Sequence, residues 1–252
     1  MALLDRALDA LEYVAEQGNV RVGQLCDDLK LPRPTAHRLL TVLVARGYLA
    51  HDAAAHVYEP GPAMMSMATN AASGSVVHHG APALVRLRDA TGETANLAVL
   101  RGGRMVYGAT VDGTVFPRMS VIVGQDVPAH AAAVGKAILA HLGDDERTRL
   151  VGPEPYKRYT EYTKQTREEL TADLAEIAKR GYAVDNEEVD VDAVCIASVI
   201  FNQREEPIGA VSLSATTSRF PQDRWDQFGA LVMECGSQLS KALQPSSSGR
   251  KR

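Results

Sequence analysis

The chain has 252 residues, 45% hydrophobic and 23% charged, which excludes gross disorder and suits two domains of ordinary size better than one small one. Lys and Arg total 27 against 31 Asp and Glu, a net charge of -4, and taken over the whole chain that balance argues against nucleic acid as a partner. No apolar run approaches the roughly 18 residues of a membrane helix, and Cys26, Cys195 and Cys235 are too scattered for a disulfide framework or a clustered zinc site.

The first residues are amphipathic, with an acid at Asp5, unlike a secretory signal, so a cytoplasmic, reducing compartment is expected. Leu4, Ala7, Leu8, Leu11 and Val14 define one face of a helix that Gln17-Gly18-Asn19 ends. Val22, Leu25, Cys26 and Leu29 predict a second, short helix closed by Leu31-Pro32. Pro34 suits a first helical turn, where its missing N–H has no intrahelical partner to lose. From there Ala36, Leu39, Leu40 and Leu43 form a third stripe, stopped at Gly47. Tyr48-Leu49-Ala50 and His56-Val57-Tyr58 pair as short strands across Asp52–Ala55. The order is helix, helix, turn, helix, two-stranded wing.

Pro60-Gly61-Pro62 breaks the chain. A short helix from Ala63 to Asn70 leads to Ala71-Ala72-Ser73-Gly74-Ser75, which reads as a hinge. A helix from Val76 to Thr91 follows, closed by Gly92. The period then shifts towards two, giving strands Thr94–Leu100, Met105–Val111 and Val115–Val123, with hairpin turns at Arg101–Arg104 and Asp112-Gly113. Ala131 to Leu142 reads as a helix. Thr166 with Glu169 forms a capping box for a helix ending at Gly181. Strands Val194–Phe201 and Ile208–Ala215 precede a last helix, Gln222 to Leu243. The Ser-rich, basic tail, residues 244–252, is expected to be disordered. The fold class is α+β, a winged helix-turn-helix followed by an antiparallel sheet with helices.

The whole-chain charge conceals a local pattern. Residues 1–70 hold six basic and eight acidic side chains, yet between Leu29 and His51 the basic Lys30, Arg33, Arg38 and Arg46 stand with no acid among them. Affinity for DNA follows local field rather than net charge. On the third helix Arg38 and Thr41 point away from the apolar stripe, with His37 near them. Arg can bond guanine edges bidentately, and Thr and His can bond phosphate or base edges. The candidate contacts to double-stranded DNA are Arg33, Pro34, Thr35, His37, Arg38 and Thr41.

Several motifs in one order resemble the IclR family of bacterial transcription regulators. They are Leu4–Leu11, Leu31-Pro32-Arg33-Pro34-Thr35-Ala36-His37-Arg38, Arg46-Gly47-Tyr48-Leu49, Tyr58-Glu59-Pro60-Gly61-Pro62, His130–Ala137, Asp185-Asn186-Glu187-Glu188 and Val194-Cys195-Ile196-Ala197. The chain departs from the family pattern at Pro34 and in a wing, Asp52–His56, without Gly or Lys/Arg. The resemblance implies a DNA-binding domain at 1–62, a linker helix and hinge at 63–75, and a GAF/PAS-like effector-binding and oligomerisation domain at 76–243. It also implies a homodimer or homotetramer on a palindromic operator, most simply a repressor, answering to an organic acid or aromatic metabolite, with no cofactor or membrane involved. The implied effector pocket is Phe116, Met119, Ala133, Val134, Gly135, Asp185, Cys195, Ser212 and Ser214.

The residue chemistry agrees in part. Ser212 and Ser214 share one strand face, and small residues at Ala133 and Gly135 leave room for an anion to approach backbone N–H groups. An ionised Asp185 would disfavour a carboxylate beside it and favour a hydroxyl or amine. Ser-x-Ser as a solvated strand face, and Cys195 as a small core residue, are the plain structural readings. A cysteine-dependent enzyme, with Cys195 as nucleophile and His130 as base, is the alternative from another class. The apolar neighbours Val194 and Ile196 would raise that thiol's pKa, against its activation. A third option is a sensor that acts only through protein contacts and uses its winged helix for pairing. His78-His79, His130 and Cys195 have no usual metal-ligand spacing.

Overall fold

The computed structural model describes residues 3–101 and 103–243. The chain divides into two compact units with the boundary between Asn70 and Ala71.

The first unit packs α1 (Leu3–Gln17), α2 (Val22–Asp28) and α3 (Arg33–Ala45) with a hairpin of β1 (Leu49–Asp52) and β2 (Val57–Pro60). Its core is the apolar stripe of each helix: Ala10 and Val14 from α1, Leu25 from α2, Ala36 and Leu40 from α3, with Leu49 from the wing, all nearly fully buried. Each such Leu contributes on the order of 2 kcal/mol by leaving water. Between α2 and α3 the chain turns at Lys30, in the left-handed region at φ 54°, and the Leu31 N–H bonds back to the Cys26 carbonyl at 3.0 Å. After α3, Gly47 at φ 73° reverses the backbone, which favours glycine there.

One helix, α4 (Pro62–Thr91), runs unbroken through the stretch expected to hinge at 71–75. Ala71 and Ala72 are the strongest helix formers, and Ser73, Gly74 and Ser75 each cost only about 0.5–1 kcal/mol within so long a helix. No proline interrupts it between Pro62 and Pro82.

The second unit is built on a five-stranded antiparallel sheet in the order β4-β3-β7-β6-β5. The strands are β3 (Thr94–Arg101), β4 (Arg104–Val111), β5 (Ala183–Asn186), β6 (Ala193–Phe201) and β7 (Pro207–Thr216). Leu97, Val211, Leu213 and Ile196 face α4 and α8 (Trp225–Ala242) across one core. Ala98, Ala197 and Ala210 face α5 (Ala133–Leu139) and α7 (Arg167–Arg180) across another. The capping box forms: Thr166 Oγ1 accepts from the Glu169 N–H at 3.2 Å, and Glu169 Oε2 accepts from the Thr166 N–H at 3.1 Å. A short helix, α6 (Asp144–Val151), and strand β5 add to the elements legible in the sequence.

The expected strand Val115–Val123 is absent. That segment is an irregular loop, although Val115, Phe116, Val121, Ile122 and Val123 read as strand-forming. Pro117 offers no N–H for a ladder, and the outer edge of β4 is met instead by residues 124–127, through Gly124 N–H to the Tyr107 carbonyl (2.7 Å) and Val127 N–H to the Met105 carbonyl (3.0 Å). The helix expected over Ala131–Leu142 is regular only over Ala133–Leu139. Gly102 of the first hairpin and the tail 244–252 lie outside the described residues. Among the described residues no helix is long and apolar enough to cross a membrane.

Candidate functional site

In the first unit, α3 buries Ala36, Leu39 and Leu40 and leaves Arg33, Pro34, His37, Arg38 and Thr41 exposed, with Thr35 half-buried. Pro34 stands in the first helical turn after a Pro32 cap in extended conformation. Thr41 donates its hydroxyl proton to the His37 carbonyl at 2.8 Å, so its oxygen is left mainly as an acceptor. Lys30, Arg33, Arg38 and Arg46 all reach solvent. At the wing tip Asp52 Oδ1 accepts from the Ala54 and Ala55 N–H groups at 2.8 and 3.0 Å, bonds that hold its carboxyl below the usual range. The tip therefore presents a fixed negative charge and no Lys or Arg, leaving the basic face of α3 as the surface fitted to phosphates.

In the second unit a cavity of about 150 Å³ lies against the sheet face that α5 covers. Strand register assembles its polar wall. Asp185 pairs with Cys195, Cys195 with Ser214, and Ser214 with Thr94, while the next row runs Ala197, Ser212, Asn96, Thr110. Asn96 Nδ2 donates to Ser214 Oγ at 3.0 Å, and Thr110 donates to Asn96 Oδ1 at 2.8 Å. Of the nine pocket residues expected, Met119, Ala133, Val134, Asp185, Cys195, Ser212 and Ser214 line this cavity.

Two expected residues do not. The Phe116 ring is 74% exposed, with the Arg118 guanidinium 4.2 Å from its centre, because the loop that replaces the expected strand turns it outward. Gly135 is a packing position: a Cβ there would stand 2.5 Å from the Ala129 carbonyl oxygen, so only glycine lets α5 approach that backbone.

Residue matches decide the family. Residues 3–53 match the profile described as the IclR helix-turn-helix domain, and residues 69–241 that of the bacterial transcriptional regulator IclR C-terminal domain. The chain belongs to the IclR family of bacterial transcription regulators. It is 35% identical to the Transcriptional repressor IclR of Escherichia coli K12, over 95% of this chain and 89% of that protein. It is 34% identical to the Acetate operon repressor of Salmonella typhimurium, with the same coverage of 95% and 89%. Among solved structures it resembles the Thermotoga maritima IclR, with a TM-score of 0.63 and 26% identity, over 95% of this chain and 98% of that one. As an IclR-family member the chain is a DNA-binding transcription regulator with a small-molecule-binding C-terminal domain, and not an enzyme.

The chemistry of this regulator's cavity agrees. Burial pushes the Cys195 thiol up, Asp185 adds to the rise, and the Ser214 hydroxyl works in the opposite sense. That is the reverse of an activated nucleophile. His130, the other half of the enzymatic alternative, has its Nε2 at 2.9 Å from the Lys157 carbonyl, and burial pulls its pKa down. Asp185 is pushed up to about 7, first by burial and then by Glu188, against the pull of Lys136 and of the Glu188 and Val189 N–H groups bonded to Oδ1 at 2.8 and 3.3 Å.

That shift carries a sign. A carboxyl raised above its unfolded value of 3.8 contributes most stability below that pH and loses it as pH rises through about 7. Asp185→Asn keeps an oxygen for both N–H groups and cannot ionise. Its melting temperature is expected to gain on the wild type between about pH 5 and pH 8, and parallel curves would contradict the buried titration.

Sequence reasoning missed a buried charge cluster. Lys136 is fully buried on α5, at 2.8 Å from Asp173 of α7 and hydrogen-bonded to Glu188. Lys164 bridges the same two carboxylates at 3.2 and 3.0 Å. The Glu188 backbone N–H that bonds Asp185 links this cluster to the cavity wall. It also missed Tyr107 and, beyond the expected Met119, the residues 120–128 that close one side of the cavity. The only sequence signal was Lys136 inside an apolar helix; the rest depends on contacts between distant segments.

Proposed function

We propose that this regulator is a repressor that binds a palindromic operator as a homodimer or homotetramer in the cytoplasm, and that its effector is a small organic acid. The observation that carries the effector reading is the cavity: about 150 Å³, with hydroxyls at Ser212 and Ser214 and a carboxyl at Asp185 that titrates near neutrality. An apolar cavity of comparable volume holds benzene, so about six non-hydrogen atoms is the expected ligand size. The convergent polar groups favour an oxygen-rich molecule over an aromatic hydrocarbon. A protonated Asp185 would donate to an anionic ligand, so such binding would take up a proton.

Two of the relatives are named as repressors. Exposed Leu4 and Leu8, one turn apart on α1, are apolar side chains that a second copy would cover. The unit boundary falls within α4, so one continuous helix joins the sheet unit to the DNA-reading unit in sequence. The effector would then act by binding two arrangements of the assembly with different affinity.

Fluorescence anisotropy on the DNA upstream of the gene, titrated with pyruvate and lactate, tests this. Operator affinity is expected to shift at least fivefold with acid, and Ser212→Ala, which removes one wall hydroxyl, should blunt the response without altering acid-free binding. An acid response that Ser212→Ala leaves intact would place the effector elsewhere.

A further inference from the structure

The wing carries no Lys or Arg at its tip, but it carries two histidines. His51 stands on β1 and His56 at the end of the turn into β2. Both are exposed, and among the described residues neither ring takes part in a hydrogen bond or an ion pair. His51 lies along the Tyr58 ring opposite it on β2, with ring centres 4.5 Å apart and planes inclined by 25°. That stack steadies the imidazole without using either nitrogen. His56 closes the turn in the left-handed region, at φ 55°. Asp52 opens it, accepting from the Ala54 and Ala55 N–H groups. Those two bonds hold the Asp52 carboxyl low, and both imidazoles add to the effect, so the three groups share one local field.

Histidine is the side chain that changes charge between pH 5 and 8. A carboxyl held low does not, so Asp52 stays an anion throughout that range. Residues 51–56 hold one carboxyl and two imidazoles, hence a net charge of -1 with both rings neutral and +1 with both protonated. The neighbouring elements do not mask this reversal. Helix α1 packs against β2, and α3 against β1. At those junctions stand Glu16 at the end of α1, Arg21 beside Val20, whose backbone bonds Tyr58, Arg46 at the end of α3, and Glu59 on β2. These are two acids and two bases, and carboxylates and guanidinium groups keep their charge over the same range.

An acidic tip is repelled by phosphate. An imidazolium donates from both nitrogens and is attracted to it. We infer that the wing is a conditional phosphate contact: His51 and His56, when protonated, bind the DNA backbone beside the bases read by α3, so affinity for DNA rises as pH falls from about 8 to about 6. Phosphate contacts carry no sequence information, so the gain falls on operator and unrelated DNA alike. The inference rests on α3 as the reading helix.

The test is fluorescence anisotropy of the full chain on the DNA upstream of its gene and on an unrelated duplex, with salt titrations at about pH 6 and about pH 8. The wild type is expected to bind both duplexes about fivefold to tenfold more tightly at the lower pH, with a salt dependence steeper by one to two counterions, roughly one for each phosphate neutralised. In His51→Gln/His56→Gln the ratio of the two affinities should fall below twofold. His51→Lys/His56→Lys should bind at the higher pH as tightly as the wild type does at the lower one, and lose the pH response. A wild-type affinity that ignores pH would overturn the inference. So would a response that survives in both double variants, which would assign it to His37, His78, His79 or Asp185. A response confined to the upstream DNA would also overturn it, because it would belong to base reading by His37. If the wild type binds neither duplex at either pH, the assignment of α3 itself fails and the inference falls with it.

Discussion

Replacing Lys136 by Met is expected to destabilise the sheet unit by about 3 kcal/mol, although the two side chains are close in length and volume. The ammonium is fully buried and sits between Asp173 and Glu188. Without it Lys164, itself a quarter exposed, is left to hold two carboxylates that are respectively 17% and 5% exposed. Taking one member out of a buried charge cluster leaves the others uncompensated, which costs more than the cluster's net contribution. Glu188 Oε2 already lacks a partner among the described residues, so the cluster has no spare donor.

The readout is specific, because the single tryptophan, Trp225, packs on the α8 side of the sheet unit. Urea unfolding followed by its fluorescence should give a midpoint well below the wild type's at neutral pH. Burial alone would raise the Asp173 carboxyl, but Lys136 and Lys164 outweigh it and hold it below its usual value of 3.8. A depressed carboxyl contributes stability above its unfolded pKa and loses it as pH falls through the folded one, so the gap between variant and wild type should narrow below about pH 4. A variant as stable as the wild type at neutral pH would show that the cluster holds nothing together. Because Asp185 accepts from the Glu188 N–H, the same variant should also weaken small-acid binding.

Arg38→Ala is expected to reduce specific operator affinity by about tenfold to a hundredfold while leaving the helix-turn-helix folded. The side chain is exposed on α3, opposite Ala36, Leu39 and Leu40, and makes no ion pair among the described residues, so its removal costs the fold little. A bidentate Arg–guanine contact is worth about 1–3 kcal/mol of discrimination. Lys30→Ala, by contrast, removes a charge placed to meet phosphate. It should weaken specific and non-specific binding alike and lower the salt dependence by about one counterion. Equal losses on operator and unrelated DNA for Arg38→Ala would reassign it to the phosphate backbone.

The first unit was almost wholly legible because its signals are local: apolar residues spaced three and four apart, Pro34 at a helix start, Gly47 at a helix end. So were the capping box at Thr166 and the long strands β3, β4, β6 and β7. Where the sequence misled, a local signal was outweighed by something beyond its window. The Val115–Val123 run has strand-forming side chains, but Pro117 lacks a donor and the β4 edge takes residues 124–127 instead. Ser73-Gly74-Ser75 looks like a hinge when read alone and is overridden by the helix on either side. Strand β5 is only four residues inside an acidic stretch, and α6 is mostly polar, so neither shows a period. Of the cavity, the motif-borne residues could be named in advance. Tyr107 could not, because a one-residue bulge decides which way it points.

The most direct measurement is footprinting of the wild-type protein on DNA upstream of its gene, with and without saturating pyruvate or lactate. The expected result is protection of two inverted half-sites about one or more helical turns apart, lost with Arg38→Ala and altered in extent or affinity by the acid. Protection without dyad symmetry that ignores both the Arg38 substitution and the acid would contradict the assignment of α3 as the reading helix and of the sheet cavity as the switch.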